Sequence, residues 1–127
     1  MADGNSVDAT STGNAPVPVW FDLSTPDAAQ ARKFYQDLFG WQINVLDETY
    51  SLVSGTNAPP TGGIGQSGPG APYTGMCVYF PVDDVEAALA QAEKLGATRL
   101  MEPNATPLGT IAAFRDLDGN VIGLKSA

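Results

Sequence analysis

In the stretch VWFDLST, residues 19–25, side chains alternate along an extended chain, so Trp20, Asp22 and Ser24 share one face and Val19, Phe21 and Leu23 the other. A carboxylate beside an indole and away from water has its ionised form disfavoured, which is what a general acid or base needs near neutral pH. Asp22 is therefore the sharpest candidate for chemistry. The competing reading is a carboxylate that hydrogen-bonds Ser24 or a neighbouring strand. Trp20 is either a stacking wall for a flat ligand or a plug that fills space.

Other candidates lie further along. In GMCVYFPV, Cys77 and Tyr79 share a face, and the Tyr79 hydroxyl is a candidate proton donor or ligand-orienting group. Cys77 reads first as a small buried apolar residue, because the chain has no histidine to activate its thiol. Tyr50 on a strand over residues 49–54, Glu48 in the turn before it and Phe114 on a strand over 110–115 complete the candidate ligand-binding set with Trp20 and Cys77. On both strands either alternate set can face a ligand, because register is not a local property. Thr110, Ala112 and Phe114 alternate with Ile111, Ala113 and Arg115.

Two absences shape the reading. The chain has one cysteine and no histidine, and no cofactor is expected. Gly63, Gly65 and Gly68 spell GxGxxG, but Pro69, Gly70 and Pro72 follow where a dinucleotide site needs a helix, so these glycines read as a thin strand and a linker.

The elements that must position these residues repeat. The first copy has a strand at 18–24, then a helix whose start Thr25 can cap with Pro26 in the first turn. Its apolar stripe is Ala31, Phe34, Tyr35, Leu38 and Phe39, and Gly40 stops it. Strands at 41–46, 49–54 and 62–66 follow. The second copy has GMCVYFPV, a helix in DDVEAALAQAEKLG with capping-box spacing at Asp83 and Glu86, a stripe of Val85, Leu89, Ala92 and Leu95, and strands at 98–102, 110–115 and 121–125. Superimposing Trp20 on Cys77 superimposes Asp27 on Asp84 and brings Gly40 within one position of Gly96. Each copy is βαβββ. Residues 17–66 and 76–127 form the modules, 67–75 a Gly- and Pro-rich linker, and 1–16 a tail too polar to bury.

Composition agrees with one small folded domain: 127 residues, 43% apolar, and no run long enough to span a membrane. The formal net charge of -8 persists in sign after the tail acids Asp3 and Asp8 are set aside, and such a surface repels phosphate backbones and anionic lipid. Neither nucleic acid nor membrane is an expected partner. The first residues lack a basic start and an apolar segment, so a cytoplasmic location is expected.

FYQDLFGW, VDDVEAALAQAEKLGA and DLDGNVIGL, in that order, resemble the vicinal oxygen chelate superfamily of glyoxalase I, extradiol dioxygenases and bleomycin-resistance proteins. The resemblance implies an α+β fold in which two βαβββ modules form a curved mixed sheet around a cleft. It also implies a divalent metal in the enzymes, held from the first and last strand of each module. Carried over, those positions are Trp20 and Cys77 with, approximately, Gly65 and Gly123, and only Cys77 offers a donor. The expected function is a metal-free protein that holds an apolar or aromatic metabolite or drug. Its alternatives are a metal-independent isomerase, lyase or cyclase using Asp22, and a non-catalytic regulatory or assembly module. A homodimer is expected because relatives pair.

Overall fold

The computed structural model describes residues 15–127; the expected tail lies, up to residue 14, outside the described residues. The order is β1 (Trp20–Thr25), α1 (Ala28–Phe39), β2 (Gln42–Val45), β3 (Tyr50–Ser54), β4 (Pro60–Gln66), β5 (Gly75–Val82), α2 (Val85–Lys94), β6 (Thr98–Thr106), β7 (Gly109–Arg115) and β8 (Val121–Ser126). This is βαβββ twice, the α+β fold expected.

The chain forms two compact units. One is Trp20–Cys77; the other is Val78–Ala127 with the segment up to Val19, whose N–H donates to the Tyr79 carbonyl at 3.0 Å. The first unit's strands lie in the order β2-β3-β4-β1, with β1 parallel to β4 and β3 antiparallel to both its neighbours. The second repeats the pattern as β5-β8-β7-β6.

Both helices start on an aspartate. The Asp27 side chain accepts from the Gln30 N–H, and the Asp84 side chain accepts from the Ala87 N–H, so the superposition read from the sequence pairs two equivalent caps. This corrects the expected caps at Thr25 and Asp83. Thr25 ends β1, and its hydroxyl accepts the Asp27 N–H one step before the helix. Gly40 closes α1 at φ 70°, in the left-handed region.

Each helix covers one face of its own sheet. Ala28 and Ala31 of α1 pack on Val53 and Ile64 with Phe21, Leu23, Trp41 and Ile43. Val85, Ala88 and Leu89 of α2 pack on Val82, Ala112 and Leu124. Burying each larger aliphatic here contributes about 1.5–3 kcal/mol, against about 1 kcal/mol for a typical helix cap. Val19 does not join Phe21 and Leu23; it precedes β1 and stays exposed. Leu95 leaves the expected α2 stripe, being the C-cap and exposed, and Phe34, Leu38 and Phe39 of α1 are more than half exposed. β6 runs four residues past its expected end. Pro103 sits where the register shifts between Met101 and Asn104, on an edge strand that tolerates a missing donor.

Candidate functional site

Because Phe21 and Leu23 pack under α1, alternation turns Trp20, Asp22 and Ser24 to the opposite face of β1. The same reasoning settles β3: Val53 is in the α1 core, so Ser51 shares its side, while Tyr50 and Leu52 face the same way as Asp22.

Cross-strand register then assembles the site. Asp22 lies opposite Gly63, and Tyr50 opposite Gly65, with β4 between β1 and β3. The Tyr50 side chain crosses β4 and donates its hydroxyl to Asp22 Oδ1 at 2.9 Å. Only glycines permit that crossing. A methyl on Gly63 would stand 2.8 Å from Tyr50 Cε2 and closer still to Cζ and Oη, and one on Gly65 would stand 3.2 Å from Cδ1. The GxGxxG glycines thus serve a side chain rather than a phosphate, and β5, not a helix, follows β4.

A second phenol completes the group. Tyr73, in the irregular connection between β4 and β5, donates its hydroxyl to Asp22 Oδ2 at 2.9 Å. Burial raises the Asp22 carboxyl above its ordinary range, and the Tyr50 and Tyr73 hydrogen bonds pull in the opposite direction without cancelling the rise. A carboxyl so placed exchanges a proton nearer neutrality than an exposed aspartate does, and its two donors stabilise the ionised form when it is produced.

The remaining candidates divide. Trp20 shares the Asp22 face and is half-buried. Glu48 is exposed in the β2–β3 turn, where its neighbour Asp47 makes the organising bonds, accepting from the Thr49 N–H, the Thr49 hydroxyl and the Tyr50 N–H. Cys77 is fully buried and Tyr79 3% exposed. Tyr79 lies opposite Gly123, its ring covering that glycine so closely that a methyl there would meet Cγ at 2.6 Å. Phe114 is a correction: it packs against the core under α2, so the Thr110, Ala112, Phe114 set faces the helix and Ile111, Ala113 and Arg115 face away. Tyr73 was missed in the sequence reading, since no periodicity marks a lone aromatic in a Gly- and Pro-rich connection.

A family model for the Glyoxalase/Bleomycin resistance protein/Dioxygenase superfamily matches residues 18–124. The chain belongs to this superfamily. The anthracycline biosynthesis protein DnrV of Streptomyces peucetius is 34% identical over 121 residues, covering 80% of this chain and 44% of DnrV. The chain thus spans less than half the length of the curated relatives it matches. Among solved structures of this superfamily, a member from Vibrio splendidus 12B01 superposes with a TM-score of 0.59 at 13% identity, over 85% of this chain and 97% of that one. The Mn(II)-bound glyoxalase from Novosphingobium aromaticivorans gives a TM-score of 0.61 at 19% identity, over 86% of this chain and 38% of that one. Both likenesses establish the fold.

The superfamily's metal positions can now be placed. Parallel register sets Asp22 opposite Gly63 and Tyr79 opposite Gly123, so Gly63, not Gly65, is the counterpart of Gly123. Tryptophan and glycine supply no donor, tyrosine rings cover both glycines, and the Cys77 thiol is the one ligating group left at these positions. The residues present do not fit a divalent metal. Among the described residues, no group of three or more His, Cys, Asp or Glu side chains could hold one. No helix there is long and apolar enough to cross a membrane.

Proposed function

We propose that this glyoxalase-superfamily chain binds a small apolar or aromatic metabolite or drug without a metal, seating it on the face of its first unit that carries Trp20, Asp22, Tyr50, Leu52 and Tyr73. The observation that carries this reading is Asp22, a buried carboxylate held at 2.9 Å by each of two phenols that reach it from separate segments. A strand of glycines is spent on bringing one of them there, an arrangement that core packing alone does not require. The relative DnrV is named an anthracycline biosynthesis protein, and this supports a small-molecule ligand.

The test is ligand-observed NMR of chelator-treated protein against a natural-product and metabolite panel, with spectra repeated over hours. Saturation transfer to a compound, lost on Trp20→Ala and unaffected by chelator, is expected. Binding that needs added metal, or that ignores Trp20, would defeat the proposal.

A second reading rests on the raised Asp22 carboxyl: a metal-independent isomerase, lyase or cyclase in which the Asp22 carboxylate removes a proton and returns it elsewhere on the same molecule. New product signals that stall with Asp22→Asn would select it. Two copies per particle are also proposed, supported by the exposed Phe34, Leu38 and Phe39 and by relatives of which the match covers less than half; sedimentation at the 13.2 kDa chain mass would refute it.

A further inference from the structure

Between Trp20 and Cys77 the only basic residues are Arg32 and Lys33, and both lie on α1, the helix that covers the other face of this sheet. The face bearing Asp22 draws Gln42 and Asn44 from β2, Tyr50, Leu52 and Ser54 from β3, Gly63 and Gly65 from β4, and Trp20 and Ser24 from β1. None of these is a cation. A carboxylate drawn partly out of water is ordinarily matched by a positive charge, because its lost hydration is otherwise uncompensated. Here two neutral phenols stand in its place. Each carboxylate oxygen accepts one of them and retains capacity to accept a second bond.

We infer that this face is a subsite for a positively charged alkylammonium group of the ligand, with Asp22 as its counter-ion and the rings of Trp20, Tyr50 and Tyr73 as its walls. Three aromatic rings and one carboxylate are the elements of an aromatic cage, in which ring quadrupoles attract a cation that has shed much of its water. Anionic ligands are disfavoured by Asp22 for the same reason. The inference deepens the ligand-binding reading of this face and rests on it.

Benzyltrimethylammonium and benzyl alcohol separate the two ideas, because the first keeps its charge at every pH and the second is neutral. Chemical-shift titration of the full chain is expected to show the ammonium binding about tenfold tighter, with perturbations at Trp20, Tyr50 and Tyr73. The preference should vanish in Asp22→Asn, and Trp20→Leu should weaken the ammonium more than the alcohol. The ammonium's affinity should also rise with pH as Asp22 ionises. Within this unit the titratable groups facing Asp22 are Tyr50 from β3 and Tyr73 from the connection; β4 offers only glycines and β1 only Trp20 and Ser24. Equal affinity for the two probes, or a preference that survives Asp22→Asn, would overturn the ammonium subsite while leaving the ligand-binding reading standing. Silence of these residues toward both probes and toward the whole natural-product panel would remove both.

Discussion

Replacing Gly63 by alanine tests whether the glycine strand exists to let Tyr50 reach Asp22. The new methyl would lie 2.8 Å from Tyr50 Cε2 and nearer still to Cζ and Oη, closer than carbon atoms pack, so the ring must lift from β4 by roughly an ångström. The hydroxyl that donates to Asp22 Oδ1 at 2.9 Å is the atom most displaced. Losing a hydrogen bond to a charged group costs about 1.5–3 kcal/mol, and overpacking costs about 1–3 kcal/mol, so a destabilisation of about 3 kcal/mol is expected in urea titration. Asp22 should move further up, because one of the two bonds that lower it is gone; side-chain carboxyl NMR across pH reads this directly. Gly123→Ala is the control. It forces Tyr79 off its strand in the other unit, so it should destabilise the chain yet leave the Asp22 titration in place. In a double-mutant cycle with Tyr50→Leu, most of the Gly63→Ala cost should disappear. If Gly63→Ala leaves both stability and the Asp22 titration at their original values, Tyr50 does not depend on the glycine and the account of the site fails.

Three further outcomes are expected. Since Asp22 titrates above its unfolded value, its contribution to stability is present in acid and is lost as pH rises from about 4 through the raised folded value; the stability of the parent relative to Asp22→Asn should therefore fall across that window, and a rise would contradict burial as the main cause. Ser51 is fully buried, and its hydroxyl has no hydrogen-bond partner among the described residues, so Ser51→Ala should be neutral or stabilise by about 1 kcal/mol in denaturant titration, with a loss above that pointing to a hidden partner. Leu89, at 0% exposure in the core under α2, should cost about 2–5 kcal/mol as Leu89→Ala in thermal or urea unfolding, and a smaller loss would mean that the second core collapses around the cavity.

Local rules carried much of this chain. Period-two alternation set Phe21 and Leu23 against Trp20 and Asp22, and the structure places Phe21 and Leu23 under α1. The repeat located both helices, and Gly40 marked where α1 stops. The expected caps were off by one or two residues because Thr25, Asp27, Asp83 and Asp84 are all competent caps, and the choice depends on where the preceding strand releases the chain.

The sequence by itself determined the βαβββ repeat, the face on which Asp22 sits and the poverty of metal ligands, because these follow from residue types and spacings within single elements. Tertiary structure alone decided that Tyr50 and Tyr73 meet on Asp22, that Gly63 leaves room for Tyr50 to reach it, and that Phe114 turns toward α2. Alternation leaves each strand two equivalent faces, and a contact between residues 28 or 51 positions apart is set by strand order and register, which no local spacing encodes.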